Sequence, residues 1–213
     1  MHKKHHHKAL WTLLAVSFLF LQAIVADNTL TKDEKKSGWE ILFNGSSFKD
    51  WKIDKWNPKS FSIEDGSIKC HGKASMIYYD KKTDYKNFHF KAKVKTKKGA
   101  NSGIFFHSTY QDKGWPNGHE AQVNCTQKDP VKTGSIYIVQ KYLKQAHQDD
   151  VWFNYEIIVE GQRIITKVDG VTISDYTEAP TDSRRKLSQG TFGLQAHDPG
   201  SIVYFKDIKV KTL

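Results

Sequence analysis

Hydrophobic and polar residues alternate along most of this chain in short runs bounded by turn formers. Phe61-Ser62-Ile63-Glu64 and Ser67-Ile68-Lys69-Cys70 flank Asp65-Gly66. An Asp-Gly pair accepts the positive φ angles of a type I′ turn, so the segment predicts a two-residue hairpin. Arg163-Ile164-Ile165-Thr166-Lys167-Val168 and Val171-Thr172-Ile173-Ser174 repeat the device around Asp169-Gly170, and the run 155–159 ahead of Gly161 extends it to a meander. Further strands are expected at 88–94, 103–108, 119–124, 134–139, 191–196 and 202–210. Helical periodicity is almost absent, with residues 141–148 suggesting one short helical turn. Many closely spaced strands without crossover helices predict an all-β chain, a two-sheet antiparallel sandwich.

The N-terminus breaks this pattern. Lys3, Lys4, Lys8 and four histidines precede an apolar run over 13–25, with no acidic residue among them. That is the layout of a secretory signal peptide, with Ala23 and Ala26 as the small residues before the cut. The expected division is a signal peptide over 1–26, a flexible lead-in over 27–37 rich in Lys, Asp and Thr, and one domain over 38–213. Processing after Ala26 would release a secreted or periplasmic protein. The apolar run is short for a membrane span, and no later stretch is apolar enough to serve as an anchor. The early histidines belong to the discarded leader.

Composition narrows the picture further. With 213 residues, 38% hydrophobic and 13% aromatic, the chain has material for one ordinary core, which excludes disordered, collagen-like and disulfide-scaffold classes. The formal charge of +10 falls to +7 when the leader's three lysines are removed. The remaining lysines are dispersed singly and in pairs such as Lys35-Lys36, Lys81-Lys82 and Lys97-Lys98, without a recognition-helix pattern, so a nucleic-acid partner is not expected. Cys70 and Cys125 exclude a four-thiolate zinc site. Whether they pair is left open by spacing, since a disulfide needs Cα atoms within about 7 Å.

Candidate chemistry lies where polar residues interrupt apolar strands. Ala100-Asn101-Ser102-Gly103-Ile104-Phe105-Phe106-His107 sets small polar residues at the mouth of an apolar strand. In Gly118-His119-Glu120-Ala121-Gln122-Val123-Asn124 the alternation puts Glu120, Gln122 and Asn124 on one face. In Gly193-Leu194-Gln195-Ala196-His197-Asp198 it aligns Gln195 with His197. Elsewhere the wet strand faces carry Lys, as at Lys91, Lys93 and Lys95, whereas these three strands carry Glu, Gln, Asn and His. Those groups hydrogen-bond sugar hydroxyls and move protons near neutral pH. Trp115, in Gly114-Trp115-Pro116-Asn117, sits on a loop beside the Glu120 strand, either as a hydrophobic plug or as a stacking platform for a sugar ring.

Taken in order, Gly38-Trp39-Glu40-Ile41-Leu42-Phe43-Asn44-Gly45, the ANSGIFF run, the GHEAQV run, Thr133-Gly134-Ser135-Ile136-Tyr137, the stretch 152–156 and the GLQAHD run resemble the secreted 3-keto-disaccharide hydrolase domain family. The resemblance covers 38–213 and implies a concanavalin A-like jelly-roll sandwich acting on an oxidised saccharide or glycoside. His107 stands where that family usually carries Arg.

A ketone at sugar C3 acidifies the C2 proton. Removing that proton expels the C1 substituent by β-elimination, and hydration of the enone completes net hydrolysis. Such a site needs a base, a donor for the enolate oxygen and an acid for the leaving group, not the opposed carboxylates of ordinary glycosidases. On this reading His197 is the base, and Glu120 orients it, donates a proton or ligates a metal. Asn101, His107, Trp115, Gln122, Asn124 and Gln195 would bind substrate. A divalent metal ion on Glu120 and a histidine is a further option, although outside the leader no HxH or HxxxH spacing supports it. The alternative from another class is a non-catalytic carbohydrate-binding sandwich built from the same residues.

Overall fold

The computed structural model describes residues 26–181 and 185–213, so the leader expected over 1–26 lies outside the described residues but for Ala26. The strands are β1 (Trp39–Ile41), β2 (Trp51–Ile53), β3 (Phe61–Glu64), β4 (Ser67–Cys70), β5 (Ser75–Tyr79), β6 (Phe88–Thr96), β7 (Asn101–Ser108), β8 (His119–Asn124), β9 (Phe153–Glu160), β10 (Arg163–Val168), β11 (Val171–Thr177), β12 (Thr191–Ala196) and β13 (Val203–Thr212). They form two antiparallel sheets. One has eight strands in the order β11-β10-β9-β6-β13-β4-β3, with β1 also paired to β13, and the other runs β2-β5-β12-β7-β8. The chain is therefore the all-β, two-sheet sandwich that its alternation predicts.

Both Asp-Gly turns are where expected. Asp65 and Gly66 (φ 48° and 70°) join β3 to β4, and Asp169 and Gly170 (φ 47° and 80°) join β10 to β11. At the second turn the Asp169 carboxylate accepts hydrogen bonds from the Asn154 backbone N–H (2.8 Å) and side-chain amide (3.1 Å). Along β6, Phe88, Phe90, Ala92 and Val94 are buried while His89, Lys91, Lys93 and Lys95 face outward. β9 and β13 follow the same rule with Phe153, Tyr155, Ile157, Val159, Val203, Phe205, Ile208 and Val210. Across the sandwich these meet Ile77, Ile104, Phe106, Val123, Phe192 and Leu194 from the second sheet in one apolar cluster. Tyr155 Oη spans the two layers, donating to the Gln122 carbonyl and accepting from the Gly134 N–H, each at 3.0 Å.

Every residue of β7, β8 and β12 is buried, unlike the half-wet strands of the larger sheet. One face of these strands packs on the core, and loops cover the other. That second covering makes the cleft described below.

Three expectations are corrected. Residues 134–139 do not form a strand, because Gly134 and Ile138 take φ of 92° and 71° and Ile136 turns back to bridge Gln140. Residues 141–148 contain no helix. The lead-in over 27–37 is tied to the domain: Thr31 and Glu34 form a capping box around a short helix α1 (Lys32–Lys36), and Glu34 pairs with Lys209. Asp27 pairs with Lys206 at 2.5 Å, and the Asn28 side chain accepts from the Asp207 N–H at 2.9 Å. Asp207 is free to do so because β13 bulges there, with φ 50°. Cys70 and Cys125 are both buried free thiols.

Candidate active site

On the loop-covered face of the five-stranded sheet, Asn101 from β7, Glu120 and Gln122 from β8, Gln195 from β12 and His197 just beyond it line one cleft of about 240 Å³. Antiparallel register explains the grouping. Phe105 lies opposite Glu120 and Gly103 opposite Gln122, while Gly193 pairs with Phe105 on the other side. Side chains of one parity on three adjacent strands thus share a surface. Phe105 continues into a small apolar cluster with Met76 and Tyr78, so one end of the cleft floor is greasy and the other polar.

Glu120 owes its place to Gly103. A Cβ added at Gly103 would lie 2.7 Å from Glu120 Cγ, closer than carbon atoms approach, so the glycine's missing side chain is the space the carboxyl occupies. Glu120 is 8% exposed, and burial pushes its carboxyl up to about 8; Asp129 adds to the rise while Arg185 opposes it. At neutral pH Glu120 therefore holds its proton and can give it up. Beside it, the Gln122 amide donates to Asn101 Oδ1 at 2.9 Å. Gln195 Oε1 is buried without a hydrogen-bond partner, an acceptor that a ligand hydroxyl can satisfy.

His197 is held differently. Its Nδ1 lies 2.7 Å from Asp198 Oδ2, which also accepts from Ser201 Oγ at 2.8 Å, while Asp198 Oδ1 accepts from the Gly200 N–H at 2.8 Å. Burial would raise the Asp198 carboxyl, but the hydrogen bonds from His197, Ser201 and Gly200 outweigh it and hold the group below the usual carboxylate range. An aspartate on Nδ1 fixes the ring and places the imidazole's proton-accepting capacity on Nε2. The Trp115 ring lies nearly parallel to the imidazole, with planes 13° apart and centroids 6.0 Å apart.

His107 and Asn124 do not reach the cleft. His107 has φ 53° and turns its ring to the sheet end, where Nε2 donates to the Lys86 carbonyl (2.9 Å) and Nδ1 accepts from the Ser188 N–H (3.1 Å). Burial lowers its pKa, in keeping with a neutral ring that both donates and accepts. Asn124 is consumed by the following loop, donating to the carbonyls of Asp129 and Val131 and accepting from the Gln127 N–H. His119, of the opposite parity, stacks on Phe106, with ring planes 18° apart.

Residues from irregular segments complete the cleft: Asp129, Tyr137, Ile138 and Arg185. Arg185 donates to the Gly118 carbonyl at 2.6 Å, which pins the Trp115 loop and brings a guanidinium to a site where His107 brings none. Ile138, a β-branched residue at φ 71°, is strained backbone at the rim. Among the described residues no three His, Cys, Asp or Glu side chains gather into a metal-holding set.

The fold is similar to that of solved carbohydrate-related proteins. A protein from Parabacteroides distasonis described as a candidate glycosyl hydrolase matches at 27% identity and TM-score 0.76, covering 88% of this chain and 100% of that one. A second such protein from the same organism matches at 23% identity and TM-score 0.67, over 82% of this chain and 99% of its own. The carbohydrate-binding module CBM66 from Bacillus subtilis shares the fold at 15% identity and TM-score 0.56, over 76% and 96% of the two chains. A protein of unknown function with a galectin-like fold from the same organism, at 12% identity and TM-score 0.58 over 82% and 94%, fits the same jelly-roll architecture. No curated protein sequence matches the chain. Residues 38–211 match the family described as the 3-keto-alpha-glucoside-1,2-lyase-like domain, and the chain belongs to that family.

Proposed function

We propose that this protein is an exported enzyme that cleaves 3-keto-glycosides or related oxidised sugar conjugates by C2 proton abstraction, β-elimination and hydration. The observation that carries the reading is one cleft holding a histidine braced by Asp198 and a carboxyl whose burial favours its protonated form. These are the base and the acid that the elimination requires.

His197 Nε2 takes the C2 proton, and the C2–H electron pair enters the conjugated enolate of the C3 ketone. As the enolate collapses, the C1–O bond breaks and the leaving oxygen takes the Glu120 proton. Water then adds to C1 of the enone, a proton returns to C2, and Glu120 recovers its own. Asn101, Gln122 and Gln195 hold hydroxyls, and the guanidinium of Arg185 supports the developing enolate charge. Membership of a lyase-like family supports the elimination step, and the likeness to a candidate glycosyl hydrolase supports the substrate class.

The competing reading is a bare sugar-binding sandwich, favoured by the amide-lined face and the half-exposed Trp115. Incubation with a 3-keto-disaccharide and its unoxidised parent separates the two. The enzyme releases monosaccharide from the oxidised compound only. Binding of both compounds without product from either would defeat the proposal. Export follows from the leader-like residues 1–26, and N-terminal sequencing of material recovered outside the cytoplasm should begin near Asp27.

A further inference from the structure

The cleft around Glu120 and His197 measures about 240 Å³, below the roughly 300–1,000 Å³ of sites that enclose a drug-sized ligand. A glycoside has two halves, and a cleft of this size suits one ring. The leaving half must then lie outside, on whatever borders the mouth beside His197.

That border is aromatic. Trp115 is 42% exposed, lies nearly parallel to the His197 ring, and meets Trp56 edge to face with centroids 5.2 Å apart. Trp56 in turn belongs to a second, shallower trough of about 340 Å³ with Asn57, Pro58 and Gly72. The trough is walled mainly by apolar surface, with the Lys59 and Lys73 side chains at its border, and its Asn57 amide N–H and Ser60 hydroxyl are already engaged. The Asn57 amide donates to the Ala74 carbonyl at 2.7 Å, and Ser60 Oγ donates to the Lys73 carbonyl at 2.6 Å. A second sugar would bring several hydroxyls in need of partners, whereas an aromatic ring needs only apolar surface and a stacking edge.

We propose that the Trp115–Trp56–Pro58 strip is the leaving-group subsite and that it selects aromatic aglycones, making aryl glycosides the preferred substrate class. This rests on the cleft being the site of the sugar ring. The test uses titration calorimetry of the chain starting at Asp27 with phenyl and methyl glucosides of both anomers, unoxidised so that chemistry plays no part. The phenyl compound of one anomer should bind about 10-fold more tightly than its methyl counterpart, the scale that a good aromatic contact supplies. Trp56→Ala should erase that ratio while leaving methyl glucoside affinity unchanged, and Trp56→Phe should keep most of it. Equal affinities in the unmodified protein, absence of binding, or an equal loss for both ligands in Trp56→Ala would overturn the subsite. Turnover of 3-keto phenyl glucoside is scored separately: turnover without phenyl selectivity in binding sinks the subsite alone, and phenyl selectivity without turnover sinks the enzymatic reading alone.

Discussion

Glu120 occupies the volume that a side chain on Gly103 would fill, so a backbone choice on β7 positions a carboxyl on β8. Gly103→Ala should push the Glu120 carboxyl aside while leaving the chemical identity of every substrate-facing side chain unchanged. Turnover of a 3-keto-disaccharide should fall about 10²-fold, the usual cost of an ångström-scale misplacement. Steady-state kinetics beside a thermal melt checks this. Unchanged kcat would show that the position of Glu120 is unimportant.

The raised Glu120 pKa makes a statement about stability with a definite sign. Unfolded, the carboxyl releases its proton near its ordinary value of 4.5, while in the folded protein burial raises that value to about 8. Between those values Glu120 binds more protons in the native state than in the unfolded one, so its own contribution to stability falls as pH rises, by about 1.4 kcal/mol per pH unit at most. Below pH 4.5 this penalty is absent, and above pH 8 it is complete. Urea midpoints measured at pH 5 and pH 8 should therefore differ more for the natural sequence than for Glu120→Gln, whose amide does not titrate. Identical pH dependence in the two proteins would mean that Glu120 ionises normally.

His197→Ala should lower turnover by roughly 10² to 10⁴, the contribution of a positioned general base, while ligand affinity changes little. Substrate carrying deuterium at C2 should react more slowly if proton removal limits the rate. Asp198→Asn keeps the shape but removes the charge that braces Nδ1, and it should lower kcat more than it changes KM. Full activity in both variants would move the base elsewhere.

The segment 27–37 should contribute measurable stability. Its ion pairs to Lys206 and Lys209 are partly sheltered, and Asn28 caps the β13 bulge. Starting the chain at Gly38 should cost about 1–2 kcal/mol, since exposed pairs contribute at most about 1 kcal/mol each. The loss should appear as a lower melting temperature with kcat unchanged. A melting point equal to that of the longer chain would show those contacts to be idle.

Much of this was legible in the sequence because strands have a period of two. Parity alone put Glu120, Gln122, Gln195 and His197 on their faces, and Asp-Gly marked both hairpins. Parity does not say how far along a strand a loop will intrude. Asn124 has the same parity as Glu120 yet is taken up by the turn at Gln127–Val131, and the positive φ of His107 carries its ring away from the face alternation implies. Arg185 and Asp129 come from segments without a period, so no local pattern announces them, and the strand-like alternation over 134–139 hides the turn that carries Tyr137 and Ile138 into the cleft. The helix Lys32–Lys36 did carry a signal, Thr31 followed three residues later by Glu34, the spacing of a capping box.

The strand order also governs how the chain reaches this state. β12 lies between β5 and β7 in one sheet, and β13 lies between β6 and β4 in the other. The strands that arrive last in this chain are interior to both layers, so neither sheet can close from its N-terminal portion alone. Loop-closure entropy must be met over the full span before those pairings stabilise anything, which places the protein among slow, late-committing folders. Until residues 191–212 are present, β5 and β7 in one sheet and β6 and β4 in the other lack the strand that joins them.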